Sequence, residues 1–204
     1  IYLDPNSGHG YSDEFERFLG FQISVLDTLI RWDLDPDVLH CHDHHTGLVP
    51  FMVQQCVAFK RLSNTPTMIT VHNAEYHGNQ DIGKRFLLPD FDILNTGLLE
   101  WAGELNSLAC ALKCAWKIST VSPSYLKELQ TNSNGLELLF ELESGKSVGL
   151  LNGIDLEVWN PATDTYLDKH YTFIPPLKEH LTCLDISEGK AYHKNLLCQS
   201  YNLD

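Results

Sequence analysis

The sequence predicts an α/β fold, a mostly parallel sheet with helices on both faces. Short β-rich segments alternate with segments of helical periodicity, and this alternation is typical of strands joined by right-handed helical crossovers. The run at 67–71 has the composition of a strand buried on both faces. Polar, titratable residues follow two of these segments at once, at the sheet edge where open α/β folds bind ligands.

The expected helices are the segments whose apolar residues recur every three or four positions. They cover 13–31, 46–61, 101–115, 123–130, 136–143 and 187–200. Thr46 is expected to cap the second of these, with Pro50 near its first turn. Ser122 and Pro123 are expected to open the fourth, and Ser187 to cap the last.

The expected strands are short and lie between these helices. They cover 37–42, 66–72, 117–121 and 147–151. The segment 79–95 is expected to be a long irregular insertion, of a length that is usually functional or mobile. A turn is expected at 152–155 and a linker at 174–176. We therefore expect a partial amino-terminal domain over 1–165, and a linker with the first helix of a truncated second domain over 166–204.

Charge and composition exclude several functions. The chain carries 27 acidic and 14 basic side chains, a formal charge of −13, which would repel a phosphate backbone, so no nucleic-acid partner is expected. No run of about 18 apolar residues is present, so no membrane span is expected. The start at Ile1 lacks the regions of a signal peptide and suggests a piece of a longer chain. Six cysteines without a CxxC pair favour buried, reduced thiols and a cytoplasmic location.

A histidine-rich segment follows the first expected strand, where His40, His42, His44 and His45 flank Asp43. Imidazole and carboxylate groups bind zinc, and His40 and His42 would share one face of a strand, so a zinc site is one interpretation. No distant CxxC or HExxH motif completes a tetrahedral set, and histidines on a strand also serve as packing. Asp43 would either cap the next helix or accept hydrogen bonds from sugar hydroxyls.

A second polar cluster follows the strand expected at 66–72. His72 and Asn73 carry donors and acceptors suited to a polyhydroxylated ligand or a transferring phosphate, although a histidine at a strand end is often structural. Tyr76 and His77 add aromatic and polar groups at the same strand end, as a sugar site needs. Asn152 follows the last expected strand and could be only a turn residue.

Four segments of the chain together resemble the family of bacterial glycogen synthases and plant starch synthases. Residues 37–48, DVLHCHDHHTGL, are similar to that family's D-V-[VI]-H-x-H-D-W-H-[TA]-[GA]-L, and 70–78, TVHNAEYHG, to its T-[IV]-H-N-[LI]-x-[YF]-Q-G. Residues 119–125, STVSPSY, are similar to T-V-S-P-[TS]-Y, and 149–164, GLLNGIDLEVWNPATD, to G-I-L-N-G-[IV]-D-x-x-x-W-N-P-x-x-D. The segments stand in the family's order, and the resemblance covers about 13–164.

The resemblance implies a Rossmann-like domain that is one half of a two-domain glycosyltransferase fold, with no obligatory metal or other cofactor. Such an enzyme transfers glucose from ADP-glucose or UDP-glucose to the non-reducing end of an α-1,4-glucan, with retention of configuration, in a cleft between its domains. By resemblance, His72 would lie beside the transferred glucose and stabilise charge that develops in the transition state. Asn73 and Asp43 would bind sugar hydroxyls, and Asn152 would line the cleft.

Two histidines stand among the chain's departures from the family pattern, and the chain also departs from it in extent. His44 stands in place of the family's tryptophan, and His77 in place of its glutamine; either change could alter sugar contacts. The family's K-x-G-G-L donor loop and its carboxy-terminal donor-binding domain are not in this chain, and 188–195 is similar to the segment that opens that domain. We therefore expect a fragment without transferase activity of its own. Two alternatives stay open: a non-catalytic glucan-binding or regulatory module, and a zinc-binding protein that uses 40–45.

Overall fold

The computed structural model describes residues 5, 8, 11–172 and 184–203. The chain divides into two compact units, 1–152 and 153–204, and each is described by itself. The boundary expected after residue 165 falls inside the second unit, and the division into two functional domains stays a prediction. The linker expected at 174–176 lies outside the described residues.

Helices and strands alternate along the described part of the chain. The helices are α1 (Glu14–Arg31), α2 (Val49–Gln55), α3 (Thr96–Leu99), α4 (Ser107–Cys114), α5 (Pro123–Leu129), α6 (Glu137–Leu142) and α7 (Ile186–Tyr201). The strands are β1 (Leu39–His42), β2 (Thr67–Val71), β3 (Asn79–Gln80), β4 (Glu100–Trp101), β5 (Glu104–Asn106), β6 (Lys117–Thr120), β7 (Ser147–Gly149), β8 (Tyr171–Thr172) and β9 (Leu184–Asp185). Short 3-10 helices cover His44–Thr46, Val57–Leu62, Ile82–Leu87, Ile93–Asn95 and Ser144–Lys146.

Four parallel strands form the main sheet, in the order β1, β2, β6, β7. Consecutive residues are buried in β2 and β6, so both faces of the sheet are covered at its centre, as in α/β folds whose crossover helices pack on the sheet. β1 lies at one edge and fully buries only Cys41. The predicted α/β fold with a mostly parallel sheet is confirmed.

A continuous apolar core holds the first unit together. Phe51, Phe59 and Phe140 are its largest fully buried side chains, and burying a side chain of this kind stabilises the fold by roughly 1.5–3 kcal/mol. Four free cysteines, which are Cys41, Cys56, Cys110 and Cys114, are also buried. Cys198 is a free, half-buried thiol, and Cys183 lies outside the described residues.

Two of the capping predictions have opposite outcomes. Ser122 caps α5 as predicted, because its Oγ accepts the backbone N–H of Tyr125 at 2.9 Å, with Pro123 in the first turn. The Ser187 cap is wrong. Asp185 caps α7 instead, its carboxylate accepting the N–H groups of Ser187 and Glu188 at 2.7 and 3.0 Å. A carboxylate at this position also favours the positive end of the helix dipole.

The single helix expected from Thr46 to about Arg61 is also wrong, because the segment breaks into a 3-10 turn, α2 and a second 3-10 helix. Cys56 between the last two is extended (φ −85°, ψ 131°), and the N–H of Val57 donates to the carbonyl of Asp90 rather than within a helix. The Thr46 hydroxyl does not cap α2. It accepts the N–H of His42 at 2.6 Å and donates to the carbonyl of the same residue at 2.9 Å, which closes the end of β1.

The helix expected at 101–115 begins only at Ser107. The residues before it form an antiparallel hairpin of β4 and β5, turning at Ala102 and Gly103 with φ of 53° and 85°. Two-residue turns with positive φ match the twist of paired strands, which explains why helical periodicity is overridden here. Asn106 then caps α4 by accepting the N–H of Ala109 at 2.7 Å.

The insertion at 79–95 is more ordered than predicted. β3 pairs with β5, and the two 3-10 helices that follow are capped by Asp81 and Asp92, whose carboxylates accept the N–H groups of Gly83 and Leu94. The prediction of an irregular loop is therefore wrong, because aspartate side chains satisfy the backbone locally.

The second unit contains α7 and the parallel pair β8 and β9. Gly189 of α7 lies directly against the side chain of Tyr171, and a Cβ added there would overlap the Tyr171 ring. This close approach explains a glycine inside a helix. Within the described residues, no helix is both long and apolar enough to cross a membrane.

Candidate functional site

The site is built where β1 and β2 end side by side. The strands are parallel, with His42 opposite Thr70, so the residues that follow them emerge at the same edge of the sheet. Asp43 follows β1 directly, and His72 and Asn73 follow β2. The sheet therefore brings together three of the residues that the sequence singles out.

The Asp43 carboxylate joins the two strand ends. Its Oδ1 accepts the backbone N–H of His72 at 2.7 Å and lies 3.4 Å from the backbone nitrogen of Asn73. Its side chain makes no capping hydrogen bond to the 3-10 helix that follows it. Of the two roles that the sequence leaves open, the structure does not support helix capping.

The backbone of Asp43 is strained. Its φ of 52° and ψ of −169° lie close to a region that glycine almost alone populates, at a cost of about 1–3 kcal/mol for other residues. Residues held in such conformations cluster at ligand-binding sites, where the surrounding structure fixes them. In this conformation the carboxylate reaches the end of β2, where it accepts the N–H of His72.

Replacing Asp43 by glycine is expected to leave a more stable chain than replacing it by alanine, by about 1 kcal/mol. Both variants lose the hydrogen bond to His72, but only glycine relieves the strain of about 1–3 kcal/mol, less roughly 0.5–1 kcal/mol for its greater loss of freedom. Urea unfolding of the 204-residue chain measures the difference. At Asp37, whose φ is not positive, alanine is expected to be the more stable; an Asp43→Ala chain as stable as Asp43→Gly would contradict the strain.

The loop after β2 is held by hydrogen bonds of its backbone, while several of its side chains are exposed. The N–H of Ala74 donates to the Tyr125 hydroxyl at 3.0 Å, and Asn73 Oδ1 accepts the N–H of Glu75 at 2.9 Å. His72, Asn73 and Tyr76 are all exposed, Tyr76 to 60%. Their side chains are therefore accessible to a ligand.

His77 is placed differently from its neighbours. Its ring is buried, and Nε2 lies 2.8 Å from the carbonyl of Ala74 and 3.2 Å from that of Ser133. Because carbonyls only accept, Nε2 carries the proton, and Nδ1 accepts from the Asn106 amide at 3.4 Å. A glutamine, the residue of the family pattern, would supply the same donor and acceptor. The predicted sugar contact of His77 stays a prediction that these contacts do not favour.

Burial shifts the pKa values of His44, His42 and Cys41. Burial lowers the pKa of His44 to about 4, helped by the nearby His45 and opposed by Asp43, so the His44 ring is neutral at neutral pH. Burial likewise lowers the pKa of His42, as do the neighbouring rings of His40 and His72, while Asp43 raises it. Burial raises the pKa of the Cys41 thiol to about 12, which makes this thiol a packing group rather than a nucleophile.

The histidine-rich segment is held by contacts within the fold. His40 Nε2 lies 2.7 Å from Thr70 Oγ1, and the His44 and His45 rings stack with centroids 3.8 Å apart. Across residues 11–172 and 184–203, no group of three or more histidine, cysteine, aspartate or glutamate side chains is arranged to hold a metal ion. The zinc interpretation has no support from the geometry.

Asn152 follows β7, the outer strand beside β6. It is exposed, and the chain leading to it is fixed by the N–H of Leu150 on the carbonyl of Thr120. A Cβ on Gly149 would overlap the backbone of Ser122 and Pro123, so this close approach requires glycine. Asn152 thus emerges from the sheet edge where β1 and β2 also end; its role at the site stays a prediction.

An open edge, rather than a cavity, is available to a ligand at β1. The cavity beside this strand, lined by Leu39, His40 and Cys41, has a volume of about 160 Å³. Ligand pockets usually have volumes of about 300–1,000 Å³. His72 and Asn73, at the adjoining strand end, are exposed on the surface.

Two residues of the site are not identified by the sequence reasoning. His42 Nδ1 lies 3.0 Å from His72 Nε2, and Tyr125 holds the loop that carries His72. The alternation of His40 and His42 on one face of β1 is a signal for the first, but the pairing of β1 with β2 is needed to see the contact. Nothing in the sequence, apart from the motif at 119–125, points to Tyr125.

Comparisons with known proteins agree on one family. The family model described as the starch synthase catalytic domain matches residues 1–142. A glycogen synthase of Flavobacterium johnsoniae is 44% identical over 204 residues, which are 100% of this chain and 41% of the relative. A glycogen synthase of Streptococcus pneumoniae strain CGSP14 is 37% identical over 174 residues, 80% of this chain and 36% of the relative.

A solved structure gives the same result. The catalytic domain of starch synthase IV from Arabidopsis thaliana, bound to ADP and acarbose, matches with a TM-score of 0.65 at 28% identity, over 96% of this chain and 39% of that chain. The fold and these matches define the class of the chain, a parallel α/β domain related to the catalytic domain of starch synthases. The chain belongs to the starch synthase catalytic domain family. It spans 41% of the length of the Flavobacterium relative, and the predicted resemblance to glycogen and starch synthases is confirmed.

Proposed function

We propose that this chain forms one wall of the active site of a glycogen synthase. The whole enzyme would transfer glucose from ADP-glucose or UDP-glucose to the non-reducing end of an α-1,4-glucan. The carboxylate of Asp43, which bridges the ends of β1 and β2, is the observation that carries this proposal. It holds polar, exposed side chains in one place at the carboxyl edge of a parallel sheet, where α/β folds bind ligands.

Each exposed residue has a group left for a sugar. Asp43 Oδ1 is occupied by backbone N–H groups, so Oδ2 is left for a sugar hydroxyl. Asn73 uses its Oδ1 within the loop, and its amide N–H groups are left as donors. Tyr76 offers an exposed ring face, and Asn152 a further amide at the end of β7. His77 stabilises this loop through its buried contacts with the carbonyls of Ala74 and Ser133.

The His72 ring is the proposed catalytic group. It stands at the end of β2 next to the Asp43 carboxylate, and its ring can donate to an oxygen of the transferred glucose and stabilise the charge distribution of the transition state. The groups that bind the nucleotide and the leaving phosphate would come from a donor-binding domain outside these residues. The match to 41% of the Flavobacterium relative supports this division. The five described free cysteines support a cytoplasmic enzyme.

The isolated chain is expected to transfer no glucose, and a chimera is expected to transfer it. In the chimera, this chain replaces the matching part of the Flavobacterium johnsoniae glycogen synthase, which aligns with all of it. Catalysis by positioning requires both walls of the cleft, so the chain alone lacks the groups that act on the leaving phosphate. Incorporation of glucose from labelled ADP-glucose and UDP-glucose into glycogen measures both proteins.

Circular dichroism and thermal unfolding establish that the chimera is folded. A folded chimera that binds glycogen but transfers no glucose from either donor would contradict the proposal in favour of a non-catalytic glucan-binding module. Turnover by the isolated 204 residues would contradict the division of the active site. Stoichiometric zinc in untagged protein, measured by elemental analysis, would instead support the zinc-binding alternative.

A further inference from the structure

His42 and His72 face each other with two ring nitrogens. Nδ1 of His42 lies 3.0 Å from Nε2 of His72, and the ring centroids are 5.3 Å apart at an interplanar angle of 33°. A contact of this length between two imidazole nitrogens is a hydrogen bond only if one carries the proton and the other offers a lone pair. The two rings therefore share one proton along this contact, and two imidazolium ions would repel each other there.

The His42 side of this pair is held in place by the sheet. The His40 ring packs on the His42 ring, with centroids 4.3 Å apart, and His40 Nε2 lies 2.7 Å from Thr70 Oγ1. Thr70 Oγ1 in turn lies 2.6 Å from Ser119 Oγ, and both hydroxyl-bearing residues are buried. A chain of polar contacts thus runs across β1, β2 and β6 and anchors the ring that His42 packs against.

The His72 side is held at two points. Asp43 accepts the backbone N–H of His72, and His42 engages one ring nitrogen. In the described residues no other group hydrogen-bonds to the ring, so Nδ1 is the nitrogen left for a ligand. The titratable groups around the pair are His40, on the same face of β1, and Asp43. Burial and the neighbouring rings keep the His42 pKa low, so His42 is a neutral partner at neutral pH.

We propose that His42 is a positioning residue that fixes the orientation and tautomer of the His72 ring. This inference rests on the proposed function, in which His72 acts on the transferred glucose. Fixing which nitrogen of His72 carries the proton decides whether Nδ1 meets the sugar as a donor or as an acceptor. The His42–His72 contact therefore does for His72 what a carboxylate or carbonyl partner does for other functional histidines.

Nuclear magnetic resonance of the 204-residue chain with ¹⁵N-labelled histidine tests the pairing directly. We expect a scalar coupling between His42 Nδ1 and His72 Nε2 across the hydrogen bond and a single tautomer for His72. In His42→Ala, His72 is expected to show both tautomers. His42→Asn places an amide near the former Nδ1 position and is expected to restore most of the tautomer preference. Asp37→Ala, at an exposed residue on the opposite end of β1 from the pair, is the control.

The chimera supplies the second readout. His42→Ala is expected to lower kcat about 10-fold with KM changed less than threefold, in the range of outer-shell partners of functional histidines, and His42→Asn to recover to within about threefold of the parent chimera. The absence of that scalar coupling in the unmutated chain, or a kcat unaffected by His42→Ala in the chimera, would overturn the inference even if the alanine variant of the isolated chain fails to fold. An active His72→Ala chimera would instead overturn the proposed function, so the two failures are distinguishable.

Discussion

Replacing His72 by alanine in the chimera is expected to lower kcat at least 100-fold while leaving the fold intact. Removing one preorganised group that stabilises developing charge typically costs about 10²–10³ in rate. The side chain is exposed, and surface substitutions usually change stability by less than about 0.5 kcal/mol. The hydrogen bond to Asp43 is donated by the backbone N–H of residue 72, so the strand ends stay joined in the variant.

The measurement pairs glucose incorporation into glycogen with urea unfolding of the same variant. Asp37→Ala is a suitable control, because Asp37 is exposed and lies at the opposite end of β1 from the site. It is expected to leave both kcat and stability within experimental error. A His72→Ala chimera with an unchanged rate would remove His72 from the active site, whereas a large loss of stability would mean that the ring is structural.

Replacing Phe51 by alanine is expected to destabilise the chain by about 3–5 kcal/mol, the usual cost of removing a buried phenylalanine ring. Phe51 on α2 has no solvent exposure, and its ring meets that of Phe91 edge to face, with centroids 5.1 Å apart at 83°. The alanine leaves a cavity, and the residues around it lose the contacts that they made with the phenylalanine ring. The midpoint and slope of urea unfolding give the change in the free energy of unfolding.

Phe86→Ala is the matched control for this prediction. Phe86 is 71% exposed, and the Arg85 guanidinium lies 4.2 Å from the centre of its ring, a kind of interaction worth about 0.5–1 kcal/mol at exposed sites. The two phenylalanines should therefore differ by at least about 2 kcal/mol. A loss below about 1.5 kcal/mol for Phe51→Ala would show that α2 does not pack on a continuous core.

The elements that could be predicted from the sequence are those whose causes are local. The first helix, the cap at Ser122 and the strands around 39–42 and 67–71 all depend on residues close together in the chain, and the structure has them within a few residues of the predicted bounds. The errors occur where a contact with a distant part of the chain overrides the local preference of the sequence. β5 of the hairpin before Ser107 also pairs with the distant β3, and the helix expected to run to Arg61 breaks where the N–H of Val57 donates to the carbonyl of Asp90.

In the candidate site, too, some features follow from the sequence and others only from tertiary contacts. Polar residues at two strand ends, and their similarity to the glycogen and starch synthase motifs, are sequence properties. The bridging role of Asp43 and the contact of His42 with His72 depend on the register of β1 against β2. The buried position of His77 depends on its contacts with Ser133 and Asn106, which are distant in the sequence. Pairing over about 30 residues of separation cannot be inferred from one sequence, because many registers satisfy the same pattern of buried and exposed residues.

The sequence by itself thus determined the α/β class, the order along the chain of the four strands of the main sheet, and the family, because alternating apolar periodicity and capping act within a few residues. Tertiary structure alone decided that the Asp43 carboxylate reaches the end of β2 and that one of the run of histidines, His42, supports His72. Those contacts exist only once parallel pairing has brought the two strand ends to one edge of the sheet. There the closeness of side chains from distant parts of the chain, rather than their spacing in sequence, sets the chemistry.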